Sequence, residues 1–96
     1  MLTDLILTPA DMLVESGKDL EVNCTLSRDL HDANFRASML NVSFPLCDDR
    51  VNTVLNERTL NVVFRNLHRN VSYQQVFCTL PGHEKYAQST VVVAGF

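Results

Sequence analysis

The chain has 96 residues, a net charge of −3 and 20% charged residues. That is one domain, able to fold alone by burying about 60–70% of the surface its unfolded chain exposes. It carries no basic stripe, which argues against a nucleic-acid partner, and its apolar runs of a few residues are too short for a membrane-spanning helix. The start, Met1-Leu2-Thr3-Asp4, has neither a basic n-region nor an apolar h-region and does not read as a signal peptide. A secreted form would have lost its leader.

In chain order, strand signals come at short intervals between turn residues, and no stretch sustains helical apolar spacing. Leu5-Ile6-Leu7 ends at Thr8-Pro9, and Met12-Leu13-Val14 ends at Ser16-Gly17. Leu20–Leu26 alternates, with Leu20, Val22, Cys24 and Leu26 on one face and Glu21, Asn23 and Thr25 on the other. A polar loop, 27–36, follows. Ser38 to Phe44 is the next expected strand, with Leu40, Val42 and Phe44 inward, stopped by Pro45. The stretch 45–58 is the least regular, with Val51 to Leu55 as a short edge strand. Thr59 to Leu67 places Leu60, Val62 and Phe64 on one face; Tyr73 to Leu80 places Val76, Cys78 and Leu80 inward. Pro81-Gly82 turns into a last strand, Ala87 to Ala94, closed by Gly95. Seven to eight short strands suit an all-β, antiparallel two-sheet sandwich, which the cysteine placement narrows to an immunoglobulin-like one.

Asn23-Cys24-Thr25 joins an inward cysteine to an outward N-glycosylation sequon. Asn41-Val42-Ser43 and Asn70-Val71-Ser72 are two more, where this composition gives about one by chance. Three cysteines allow three single pairings. Cys24 and Cys78 lie mid-strand on apolar faces in the same register, as the second and sixth strands of an immunoglobulin sandwich require. Cys47, in Pro45-Leu46-Cys47-Asp48-Asp49-Arg50, is left to pair outside this segment, pair between chains, or stay free. Disulfide and sequons together predict an extracellular glycoprotein.

Catalytic patterns are missing: no Gly-rich phosphate loop, no G-x-S-x-G and no H-E-x-x-H. His31, His68 and His83 fall in loops or strand ends, and Asp48-Asp49 and Glu84-Lys85 read as loop charges. Cys47 with its neighbours matches no zinc spacing. The reading is a non-enzyme with no cofactor and no metal. Val91-Val92-Val93 is apolar on both faces of its strand, as it would be under a neighbouring domain or in a partner-binding strand.

Several segments, in order, resemble the membrane-distal immunoglobulin-like domain of long-chain type I cytokine receptors. The group includes the interleukin-6 signal-transducer and granulocyte colony-stimulating factor receptor types and, in insects, the Domeless type. Leu20-Glu21-Val22-Asn23-Cys24-Thr25-Leu26 is similar to the family's second strand. Asn56-Glu57-Arg58-Thr59-Leu60-Asn61-Val62-Val63-Phe64 resembles its turn into the fifth strand. Val76-Phe77-Cys78-Thr79-Leu80 with Gly82 resembles the sixth strand and turn, and Ser89-Thr90-Val91-Val92-Val93-Ala94-Gly95-Phe96 the last. The chain departs from the pattern in having no Trp to pack on the disulfide, no tyrosine corner (the residue two before Cys78 is Val76) and no cysteines for the family's extra disulfide. Leu40 or Val42 is expected to fill the Trp space.

The resemblance implies that residues 1–96 form the N-terminal module of a larger ectodomain on a cell-surface, single-pass membrane protein. It would contact a four-helix cytokine, with co-receptor chains, and so bring together intracellular kinases of a JAK/STAT pathway. If Asn23, Asn41 and Asn70 all carry glycans, much of both open faces is shielded. The contact surface is then expected at the edge between first and last strands, near Leu5, Leu7, Tyr86, Thr90 and Val92. The alternatives are a cell-adhesion or scaffold immunoglobulin-like domain, or a non-catalytic domain of a secreted enzyme.

Overall fold

In a computed structural model, which describes residues 5–83 and 85–95, the period-two segments become eight strands in two packed sheets. Expectations for Met1-Leu2-Thr3-Asp4, Glu84 and Phe96 lie outside the described residues. Sheet 1 contains β1 (Leu5–Thr8), β3 (Leu20–Leu26), β6 (Thr59–Phe64) and β5 (Arg50–Val54), in that order across the sheet. Sheet 2 contains β2 (Met12–Glu15), β8 (Tyr86–Ala94), β7 (Gln75–Thr79) and β4 (Asn41–Ser43). All pairings are antiparallel except one: β2 runs parallel to β8, with Met12 opposite Val91. The wholly antiparallel expectation is corrected there, because the chain crosses from sheet 1 to sheet 2 over Pro9–Asp11 without reversing.

The core is the apolar half of each alternation. Val22, Cys24, Leu26, Val62 and Phe64 from sheet 1 meet Val42, Val76, Cys78 and Val91 from sheet 2, all buried. Cys24 and Cys78 are joined by a disulfide that ties the middle of β3 to the middle of β7. In place of a Trp, Val42 stands directly opposite Cys78 in the β4–β7 ladder, and Leu40 is buried just before it. Phe44 reaches from the end of β4 to Phe64 on β6, ring edge to ring face, with centroids 5.4 Å apart. This aromatic contact bridges the sheets and supplies large apolar area that Val42 lacks.

Several element boundaries differ from the sequence expectation: the strand expected over Thr59 to Leu67 ends at Phe64, β5 and β8 each begin one residue early, and three further differences have local causes. The polar loop contains a short helix, α1 (Arg28–Asp32), whose first turn is capped by Ser27, the Leu30 N–H donating to its Oγ at 3.3 Å. The helix buries Leu30. The expected strand from Ser38 begins only at Asn41, because Ala37–Met39 form a 3-10 turn pinned by Ala37 N–H donating to the Glu57 carbonyl at 2.8 Å. The strand expected from Tyr73 starts at Gln75, since Tyr73 has φ +68°, in the left-handed region. Leu80-Pro81-Gly82-His83 closes with His83 N–H donating to the Leu80 carbonyl at 3.0 Å. Gly82 takes φ +85°, the third-position geometry of a type II turn.

Candidate recognition surface

The outward halves of the same alternations make two open faces of unlike chemistry. On sheet 1, Thr8, Asn23, Asn61 and Thr53 form one row across four strands. Asn61 is only 9% exposed although it points away from the core; its Nδ2 donates to Asn23 Oδ1 at 2.7 Å. In the next row Thr25 and Thr59 share a hydroxyl contact at 3.2 Å. The middle of this face is polar and internally hydrogen-bonded, with exposed Ile6 and Val51 on the edge strands to either side.

The outer face of sheet 2 is more apolar. Between inward Met12 and Val14, Leu13 projects outward and is 67% exposed, and its partner in the ladder is Val92. Together with Ala10, Asp11, Met12 and Thr90 these two line a shallow hollow. Further along the face, Phe77, half-buried, and Tyr86, 63% exposed, line a second hollow with Thr79, His83, Lys85 and Gln88. Phe35 packs edge-on against His83, centroids 4.7 Å apart, and so ties the segment after α1 to the β7–β8 turn.

The five residues expected at a first-strand/last-strand edge are not brought together. Leu5 is 3% exposed, inside the core, and Leu7 is half-buried against it. The edge expectation is corrected for these two because the ladder sets Leu7 level with inward Cys24. The strand hydrogen-bonded to β8 at this edge is β2, and β1 meets β8 only from the other sheet. Tyr86, Thr90 and Val92 do share a surface, the outer face of sheet 2. Sequence reasoning missed Leu13 and Phe77 as its members, although both sit between inward neighbours and were therefore legible as outward.

The sequons lie apart. Asn41 is exposed at the start of β4; Asn70 is exposed in a 3-10 turn, Arg69–Val71; Asn23 is half-buried in the polar face of sheet 1. The Ser72 hydroxyl accepts from the Val93 N–H at 2.9 Å.

Cys47 is free and half-buried. Burial pushes its thiol pKa upward, and the Asp49 and Asp48 carboxylates push the same way, against the Asp49 N–H and Arg50. The thiol is therefore a poor nucleophile near neutral pH. Among the described residues no cluster of three or more His, Cys, Asp or Glu is placed to hold a metal ion. His31 Nε2 lies 3.1 Å from Glu57 Oε2, a contact linking α1 to the β5–β6 turn that becomes an ion pair when the imidazole is protonated. Comparisons with protein-family models, curated proteins and solved structures found no match for this chain.

Proposed function

We propose that this chain is an extracellular, non-catalytic immunoglobulin-like module of a cytokine receptor, built to bind protein. The observation that carries the immunoglobulin-like part is the strand order. β1-β3-β6-β5 against β4-β7-β8 is the arrangement of a constant-type immunoglobulin sandwich, with the disulfide between its second and sixth strands. β2 is then a continuation of the first strand that has changed sheets. The receptor part rests on the ordered segment resemblances around Cys24, Thr59, Cys78 and Val91. In this reading the domain belongs to a single-pass cell-surface protein. It touches one end of a helical cytokine held by other receptor chains, and docking assembles the signalling complex.

The contact surface in this reading is the Leu13–Val92–Thr90 end of sheet 2. An exposed leucine beside a valine, rimmed by a polar threonine and Asp11, has the make-up of an apolar anchor with a polar rim. The adhesion alternative draws on a different feature: β5 is an edge strand exposed at every position, Val51 and Val54 included, suited to pairing with another copy.

Cells carrying the full-length receptor with Leu13→Glu, or with residues 1–96 deleted, separate these readings. The receptor reading expects ligand-driven signalling to need at least about tenfold more ligand with Leu13→Glu, as for a hot-spot residue. Unchanged dose response in both would refute it. Self-association abolished by Val54→Lys would favour adhesion.

A further inference from the structure

Asn41 opens β4, Thr79 lies opposite it on β7, and Tyr86 lies opposite Thr79 on β8. The next row, Val42, Cys78 and Ala87, faces the core, so Asn41, Thr79 and Tyr86 all point outward. The Thr79 hydroxyl donates to the Asn41 carbonyl at 3.4 Å, which holds the row together at its edge. Phe77 is diagonal to Asn41 on the same face, within reach for a long side chain. At one strand spacing each, Tyr86 stands about 10 Å from Asn41.

We propose that the hollow over Phe77 and Tyr86 is the seat of a sugar attached to Asn41, the first N-acetylglucosamine of an N-linked glycan. The inference rests on the extracellular part of the reading above. Attachment is a glycosyl transfer from a polyprenyl-diphosphate-linked oligosaccharide: Asn41 Nδ2 bonds to the anomeric carbon and gives up one proton to a base of the transferase, and the anomeric C–O bond breaks with polyprenyl diphosphate as leaving group. A pyranose linked at Nδ2 extends over Thr79 toward the two rings. Its C–H face carries partial positive charge, and the faces of Phe77 and Tyr86 carry the negative part of their quadrupoles. The sugar's other groups stay near Thr79 and Gln88. Because the sugar is tethered by the ladder register, its effective concentration is high and a weak contact suffices to seat it. Asn23 has no aromatic neighbour of this kind: its row holds Thr8, Asn61 and Thr53, and its diagonal neighbours across the ladders are Ile6, Thr59 and Val63. Asn70 lies in a turn outside both sheets.

The chain is secreted from a glycosylating host, each sequon's occupancy is read by mass spectrometry, and the glycans are trimmed enzymatically to a single N-acetylglucosamine. The trimmed protein is expected to melt about 3–6 °C above Asn41→Gln. Tyr86→Ala, at an exposed position, is expected to remove that difference, and sugar protons are expected to show ring-current shifts and cross-relaxation with the Tyr86 ring. Occupied Asn41 with no melting difference and no ring contact overturns the inference alone. Unmodified Asn41 beside modified Asn23 or Asn70 overturns it as well. No modification at any of the three overturns the extracellular reading with it.

Discussion

Removing the Cys24–Cys78 bridge is the most direct test of how this sandwich is held together. The bridge closes a loop across a sequence separation of 54 residues. By the chain-entropy model, opening a loop of that size returns about 4 kcal/mol of freedom to the unfolded chain at 25 °C. Total stability for such a domain is about 5–15 kcal/mol, so the loss is a large fraction. At about 4–8 °C per kcal/mol for a chain this long, the melting point of Cys24→Ala/Cys78→Ala should fall by about 15–30 °C. The comparison belongs in a Cys47→Ser background, so that the free thiol cannot form a substitute bridge. Urea unfolding followed by fluorescence of the two tyrosines adds a second reading: the slope against denaturant should rise, because an uncrosslinked unfolded state exposes more surface. Peptide mapping without reductant should find Cys24 joined to Cys78. A melting point within 5 °C of the parent, or a Cys24–Cys47 linkage, would refute the reasoning.

Phe64→Ala should cost about 3–5 kcal/mol in urea unfolding, since it removes a fully buried ring together with its contact to Phe44. Phe64→Leu should recover much of that loss. Ser27→Ala should cost about 0.5–2 kcal/mol by loss of the α1 cap, with the β-sheet circular dichroism unchanged. For Cys47 the folded pKa is raised above its ordinary value of 9.0, so the protonated thiol is the form the fold favours. Its contribution is full below pH 9.0 and is lost as pH rises through the higher folded value. Cys47→Ser should flatten that alkaline fall, and native-state alkylation of Cys47 should lag behind an unfolded control at pH 8.

Where a single physical rule decides, the fold was legible. Period-two alternation placed Leu20, Val22, Cys24 and Leu26 inward, and all four are buried. The same rule placed Leu60, Val62, Phe64, Val76 and Cys78, and with them the disulfide. What alternation cannot encode is which strands become neighbours. The first and last strands do meet, β1 lying against β8 across the sandwich, but the chain changes sheets after Thr8 and inserts β2 as the hydrogen-bonded neighbour of β8. Helix α1 escaped because five residues are too few to show helical periodicity, and its signal is one serine cap followed by Asp29 in the first turn. The late start of β7 comes from Tyr73 at φ +68°, a conformation that sequence does not announce for a tyrosine. The candidate surface was half legible: Tyr86, Thr90 and Val92 share a face, while Leu5 belongs to the core.

Surface chemistry, more than the count of exposed apolar residues, distinguishes the three open regions. The middle of the outer face of sheet 1 presents carboxamides and hydroxyls already bonded to one another, as in Asn61 to Asn23 and Thr25 to Thr59, with Ile6 and Val51 exposed at its margins. A partner docking there would have to break those bonds or leave them in place and gain little. The β5 edge offers exposed Val51 and Val54, but the Arg50 guanidinium at its start donates to the Val42 carbonyl on β4. That bond places a cation at the margin of the edge, one of the usual guards against strand addition. The outer face of sheet 2 has neither feature around Leu13. There an exposed leucine lies beside Val92 in the ladder, and burying both recovers roughly 25 cal/mol for each square ångström of apolar area removed from water. A sugar seated on Phe77 and Tyr86 would cover the opposite end of that face and leave the Leu13 end open. The glycan and the protein partner then occupy different ends of one sheet, so losing the Asn41 sequon should change stability without changing ligand response, and Leu13→Glu should do the reverse.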